Sequence, residues 1–234
     1  MRYDAVIFDL FGTLISLHTV PPAAYETMLR QLAENLDVPF TAFRDQWRAT
    51  IEERESGSLG GVDDILRTTA AAVGGGPTTA QVAAARESWL PVAAGWLTPR
   101  TDAAPTMAAF REAGCKIGLL SNCSAEVPPL WRDGPLAALV DEPVFSCEVG
   151  LMKPDARLYA HACGLLNVAP ERCLYVGDGG ARELTGAQSA GIDALLLRVP
   201  GEEDAWFDEN FRLDALEWTG LTAASLSELQ RYAS

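Results

Sequence analysis

Short apolar runs and long stretches of helical periodicity succeed one another along this chain, and their order predicts its architecture. Ala5-Val6-Ile7-Phe8 is a compact apolar run that reads as a buried strand leading into a turn. From about residue 20 to 96 the periodicity becomes helical. Tyr25, Met28, Leu29, Leu32 and Leu36 make one stripe, and Phe43, Trp47 and Ile51 a second, with Thr41 as the expected N-cap. Asp63 is expected to cap a third helix carrying Ile65, Leu66, Thr69, Ala70 and Val73. Gly74-Gly75-Gly76-Pro77 breaks the chain, and Thr78 or Thr79 opens a fourth helix through Val82 and Trp89. No repeat of fixed period runs through this segment, so it predicts a small bundle and not an array.

Beyond Thr98-Pro99 the pattern alternates. A helix at 103–113 ending at Gly114 is followed by a strand at 116–120, short helices, and a strand near 144–146. A helix at 155–163, a strand at 173–177, a helix at 181–190 ending at Gly191 and a strand at 194–198 complete the series. Strands alternating with helices predict an α/β fold with a doubly wound parallel sheet. The first strand belongs to that sheet, so the helical segment interrupts one domain. Residues 1–16 and 97–234 are the expected core, and 17–96 the expected helical-bundle cap. Trp206, Phe207, Phe211, Leu213 and Trp218 predict a packed C-terminal return.

Chemically capable residues stand at the ends of these apolar runs. Asp9 follows the first strand, Ser121-Asn122 the second, Lys153-Pro154 the third, and Gly177-Asp178 the fourth. In open α/β sheets ligands bind at that carboxyl edge, where the strand order reverses. A lone Asp after a strand is ordinarily a cap or turn residue; the ordered company of a hydroxyl, a cation and a second acid argues for a site.

Composition narrows the partners. The 234 residues carry 18 basic and 32 acidic side chains, a formal net charge of -14. That balance opposes binding to nucleic acid or an anionic membrane, and leaves a small anionic molecule as the expected partner. No apolar stretch approaches the ~20 residues that span a bilayer, and no leader is expected before the first strand. Cys115, Cys123, Cys147, Cys163 and Cys173 are odd in number and lack CxxC spacing, which suits a reducing, cytoplasmic setting. Cys123 reads as a small buried hydrophobe.

The landmarks resemble the signature of the haloacid dehalogenase superfamily of hydrolases, in its helical-cap subclass. Asp9-Leu10-Phe11-Gly12-Thr13 is similar to the first motif, Ser121-Asn122 to the second, Lys153-Pro154-Asp155 to the third, and Gly177-Asp178 through Glu183 to the fourth. The resemblance spans nearly the whole chain and implies a Rossmann-like core under a four-helix cap. It implies that Asp9 is a nucleophile forming a covalent aspartyl intermediate, with Lys153 offsetting charge. Ser121 and Asn122 would hold substrate oxygens at a helix N-terminus, assisted by Gly12 and Thr13. Mg²⁺ would be held by Asp9, Asp178 and the carbonyl of Phe11, with Glu183 bound or steadying its surroundings.

Phe11 departs from the phosphatase pattern, in which a second Asp protonates the leaving group, a contribution of ~10²–10⁴-fold. An aromatic residue there is similar to the dehalogenase branch, whereas Gly177-Asp178 departs from that branch's metal-free fourth motif. The leading expectation is therefore a Mg²⁺-dependent hydrolase of a small phosphorylated or otherwise activated metabolite, as monomer or homodimer. The alternatives are a metal-independent 2-haloacid dehalogenase, a phospho-aspartate signalling domain, and a non-catalytic binding protein. The resemblance to the dehalogenase branch implies a cap Arg that anchors halide or carboxylate; Arg44, Arg48 and Arg54 are available, and the sequence matches none of them to that role. His18 is expected to be an exposed or hinge residue and His161 to be structural, while Trp47, Trp89 and Trp96 are expected to fill the cap core, one of them being a candidate for the cleft wall.

Overall fold

The computed structural model describes residues 2–17, 21–202 and 213–233. The strands are β1 (Ala5–Phe8), β2 (Lys116–Ser121), β3 (Glu142–Phe145), β4 (Cys173–Gly177), β5 (Asp193–Leu197) and β6 (Leu221–Ala223). They form one sheet in the order β3-β2-β1-β4-β5-β6, with every pairing parallel. β1 and β4 lie side by side where the order reverses, so Asp9 and Asp178 emerge next to each other at the crevice that this topology opens.

Between β1 and the rest of the sheet the chain builds the cap. Its helices are α1 (Pro22–Asn35), α2 (Phe40–Ala49), α3 (Ile51–Glu55), α4 (Val62–Ala72) and α5 (Thr79–Trp96). The apolar stripes converge: Leu29, Leu32, Phe43, Trp47, Ile65 and Trp89 are all buried together. The Trp47 and Trp89 rings meet edge-on with centroids 5.1 Å apart. Thr78 caps α5 as expected, accepting from the Gln81 amide at 3.3 Å while Gln81 accepts from the Thr78 amide at 2.9 Å.

The core helices are α6 (Ala103–Glu112), α7 (Val127–Arg132), α8 (Ser146–Val149), α9 (Ala156–Leu166), α10 (Glu183–Ser189) and α11 (Leu213–Glu217). Strand alternation divides the sheet's two faces. Val6, Phe8, Ile117, Leu119, Leu174 and Val176 pack toward Met107 and Phe110 of α6. Ala5, Ile7, Leu120, Tyr175 and Leu196 pack toward Leu158 of α9 and Leu184 of α10. Burial on both faces is why the β1 run is continuously apolar instead of alternating.

Several local expectations are corrected. α2 begins at Phe40, so Thr41 lies inside the helix. α4 begins at Val62, and its end is closed by Asp64, which accepts from the Gly61 amide at 3.1 Å, while Asp63 pairs with Arg86 at 2.9 Å. Ile51 belongs to α3 and is exposed, because Thr50 ends the previous helix. The short β6 had no strand signal in the sequence. Trp218 joins the C-terminal return, donating to the Leu221 carbonyl at 2.9 Å. Trp206, Phe207, Phe211 and His18 lie outside the described residues. His161 is exposed on α9.

Candidate active site

Asp9 follows β1 directly, its amide hydrogen-bonded to the Val176 carbonyl of β4 at 2.9 Å. Asp178 follows β4, and Lys153 arrives on the loop between α8 and α9. Lys153 Nζ lies 2.5 Å from Asp9 Oδ1 and 2.6 Å from Glu183 Oε2, with all three side chains buried. Suitably placed oxygens of Asp9, Asp178 and Glu183 lie within 4.8 Å of one another. The sequence-predicted acids and cation thus meet in one pocket.

Charge in this pocket is unbalanced. Burial, and then Glu183, push the Asp9 carboxyl well above the ordinary range, Asp178 adds to the rise, and Lys153 opposes it. Burial alone would weaken the Lys153 ammonium, but Asp9 and Glu183 outweigh it and hold the proton firmly. Asp9 Oδ2 is buried and has no hydrogen-bond partner among the described residues. A buried anionic oxygen left without a partner is costly. A cluster of oxygen donors around it is the donor set that a hard divalent cation takes, so the residues present fit such an ion.

Glu183 is committed more fully than the sequence suggested. Its Oε1 accepts from the Gly179 amide at 2.9 Å, and its Oε2 accepts from the Tyr175 hydroxyl at 2.7 Å as well as from Lys153. Tyr159 donates to the Glu183 carbonyl at 2.8 Å. These bonds orient Glu183 toward Lys153 as a fixed partner. Gly177 makes room for it, since a Cβ there would meet Glu183 Oε1 at 2.2 Å.

The turn after β1 has little freedom. Gly12 has φ +84°, and a Cβ on it would lie 2.2 Å from Asp178 Oδ2, so only glycine fits between the two carboxylate-bearing loops. The Gly12 amide donates to the Ile15 carbonyl at 2.8 Å, and the Thr13 hydroxyl is fully buried without a partner among the described residues. Phe11 lines the cleft beside Asp9.

The Ser121-Asn122 segment differs from expectation. Ser121 ends β2, and α7 begins only at Val127, so no helix N-terminus stands at these residues. Asn122 grips the lysine loop instead: its Oδ1 accepts from the Lys153 amide at 2.9 Å and its Nδ2 donates to the Lys153 carbonyl at 3.4 Å.

A cleft of about 660 Å³ runs from this pocket to the cap. Tyr25, Trp47, Trp89 and Trp96 give it an aromatic wall, and Arg48, Arg54 and Glu55 supply charge on the cap side. The tryptophans thus serve both the cap core and the cleft. Arg44 is absent from this lining and pairs with Asp45 at 2.8 Å. Burial pushes the Cys123 thiol well up, in keeping with a buried hydrophobe.

Sequence reasoning missed Tyr175, Arg100 and Ser146. Arg100 donates to the carbonyls of Gly12 and Thr13 at 2.9 and 2.8 Å and pairs with Glu202 at 2.6 Å, clamping the β1 turn. Tyr175 carried a faint signal, as a polar-tipped residue within an otherwise apolar strand. Arg100 and Ser146 carried none.

Fold and site together define a capped α/β hydrolase. The profile of the haloacid dehalogenase-like hydrolases matches residues 3–191, and the chain belongs to that family. Among its relatives, a glyceraldehyde 3-phosphate phosphatase from Methanopyrus kandleri is 28% identical over 199 residues, 83% of each chain. A 2-haloacid dehalogenase from Pseudomonas syringae pv. Tomato DC3000 shares the fold with a TM-score of 0.69 at 22% identity, covering 98% of this chain and 97% of that one. A haloacid dehalogenase-type phosphatase from Thermococcus onnurineus shares it with a TM-score of 0.68 at 19% identity, covering 98% and 97%. No helix among the described residues is long and apolar enough to cross a membrane.

Proposed function

We propose that this protein is a Mg²⁺-dependent hydrolase that transfers a phosphoryl group from a small anionic metabolite to Asp9 and then to water. The observation that carries this reading is the buried acidic excess: Asp9, Asp178 and Glu183 meet beside the Lys153 ammonium, and Asp9 Oδ2 has no hydrogen-bond partner among the described residues. Displacement of a halide calls for no divalent cation, whereas a phosphoryl dianion approaching Asp9 does, so an oxygen donor set of three acids suits the phosphoryl group better. Similarity to a glyceraldehyde 3-phosphate phosphatase over most of both chains points the same way.

In this reading Asp9 and Asp178, with the Phe11 carbonyl, would hold the ion, and Glu183 would fix its surroundings through Lys153. The ion would supply positive charge against the oxygens of the phosphoryl group. Lys153 holds Asp9 Oδ1 in place for attack and shields it from the incoming anion. Ser121 takes a phosphoryl oxygen, Asn122 holds the lysine loop, and Gly12 and Thr13 shape the turn. Residues 17–96 act as the cap that excludes water over a core of 1–16 and 97–234. The protein works in the cytoplasm as monomer or homodimer, without nucleic acid or membrane.

Phe11 has no proton to give. Turnover therefore favours leaving groups that need none, unless another residue supplies it. Hydrolysis of acetyl phosphate with Mg²⁺, abolished by chelator and restored by the ion, tests the reading. Halide release from 2-chloropropanoate that chelator leaves untouched, with no phosphate hydrolysis, would replace it with the dehalogenase.

A further inference from the structure

The phenyl ring at position 11 leaves the β1 turn without a proton donor, and the opposite wall of the same cleft presents a carboxyl group. Glu55 is the last residue of α3 and lines the cleft with Asp9, Phe11 and Lys153. Its position is set by the core and not by the cap alone. Ser146 Oγ donates to the Glu55 carbonyl at 2.5 Å and accepts from the Cys123 amide at 3.0 Å, so one hydroxyl ties Glu55 to the loop that follows β2. Two residues on, Gly57 has φ +75° and packs so closely that a Cβ would meet the Cys147 carbonyl oxygen at 2.1 Å. This edge of the cap is therefore docked without slack, and Glu55 enters the cleft from the docked edge.

We infer that Glu55, presented by the cap, is the general acid and base that position 11 lacks. The inference rests on the phosphoryl-transfer reading of the site. As Asp9 bonds to phosphorus, the bond from phosphorus to the leaving oxygen breaks, its electron pair stays on that oxygen, and the Glu55 proton goes to it. The Glu55 carboxylate then takes a proton from the water whose oxygen attacks the phosphorus. The bond from phosphorus to Asp9 breaks, phosphate is released, and both carboxyl groups return to their starting states.

The surroundings of Glu55 suit that duty. Burial pushes its carboxyl up to about 7, the range in which a group both gives and takes a proton near neutrality. Arg54 beside it and Lys153 across the cleft oppose the rise, while Glu126 at the start of α7 and Glu52 on its own helix add to it. Glu126 is the competing carboxyl: it lines the same cleft and burial raises it too, but the Ser124 hydroxyl donates to it at 2.6 Å and opposes the rise. Glu55 is the one whose proton is tuned by Lys153.

The test is a leaving-group series on the full chain with Mg²⁺, from acetyl phosphate through 4-nitrophenyl phosphate to glycerol 3-phosphate. In Glu55→Gln the loss in kcat/KM should grow along the series and reach about 10²-fold on the alkyl ester. The alkaline limb of the wild-type pH profile should disappear with it. Phe11→Asp placed in the Glu55→Gln background should restore alkyl-ester hydrolysis. An equal loss on every substrate, no loss, or the graded loss in Glu126→Gln instead would overturn the inference. So would a wild type that hydrolyses acetyl phosphate but no alkyl ester. A wild type inactive on acetyl phosphate as well overturns the phosphoryl-transfer reading itself.

Discussion

Lys153 Nζ stands 2.5 Å from Asp9 Oδ1, although the two residues are 144 positions apart in the chain. The contact crosses from the turn after β1 to the loop before α9, and Glu183 completes it from α10 at 2.6 Å. An ammonium held by two buried carboxylates is an electrostatic hinge for the whole pocket. Its removal exposes what the pocket is built to balance.

Lys153→Met keeps the apolar stem and deletes the charge. Asp9 and Glu183 are then left without a cation, a change that ordinarily costs about 3–5 kcal/mol. Urea denaturation should record that loss in the metal-free protein, and added Mg²⁺ should recover part of it. A variant as stable as the parent in chelator would mean that the carboxylates are not charged together.

Asp9→Asn keeps the size and removes the nucleophile. Hydrolysis of any phosphate substrate should fall by about 10⁴-fold or more, the order seen when an attacking group is deleted. Rapid quenching of the parent with labelled acetyl phosphate should leave label on Asp9, and the variant should carry none. Label retained elsewhere in the variant would assign the attack to another residue.

Gly12→Ala and Gly114→Ala separate backbone strain from collision. Both glycines have positive φ, +84° and +85°, so each alanine carries the left-handed cost of about 1–2 kcal/mol. At Gly114 nothing lies within 4 Å, whereas at Gly12 the new methyl would meet Asp178 Oδ2 at 2.2 Å. Thermal melts should show the larger destabilisation for Gly12→Ala, and only that variant should lose the melting-temperature rise expected on adding Mg²⁺. Equal Mg²⁺ responses would remove Asp178 from the ion site.

Glu55 gives stability a pH dependence of known sign. Its folded carboxyl titrates near 7, above the ordinary value of 4.5, so the folded state holds the proton more tightly between those limits. Stability from this group is full below pH 4.5 and is lost as pH rises through 7. The urea midpoint of the parent should fall between pH 5 and pH 8 by more than that of Glu55→Gln. Parallel pH curves for the two proteins would count against the shift.

The reading of the chain succeeded where local pattern carries physical necessity. Ala5-Val6-Ile7-Phe8 had to be a buried strand, and Thr78 or Thr79 after the glycine run had to open a helix; the structure chose Thr78. It failed where a position is chosen by neighbours distant in sequence. Thr41 offered a hydroxyl suited to capping, yet the helix starts directly after the extended Pro39, with Thr41 inside its first turn. Ser121-Asn122 suggested a helix N-terminus, but α7 forms later and Asn122 turns to the Lys153 backbone.

Sequence alone determined the α/β order, the interrupted domain and the residues whose chemistry has meaning, because strand ends and helical stripes are written in local periodicity. It also showed that position 11 lacks an acid. Tertiary structure decided that Asn122 holds Lys153, that Tyr175 and Gly179 fix Glu183, that Arg100 clamps the turn at Gly12, and that Glu55 reaches the cleft through Ser146. Those relations join segments brought together only by the β1–β4 crossing point and by docking of the cap. Hydrogen bonds act across about 3 Å of space whatever the chain length between their partners, so no periodicity could have recorded them.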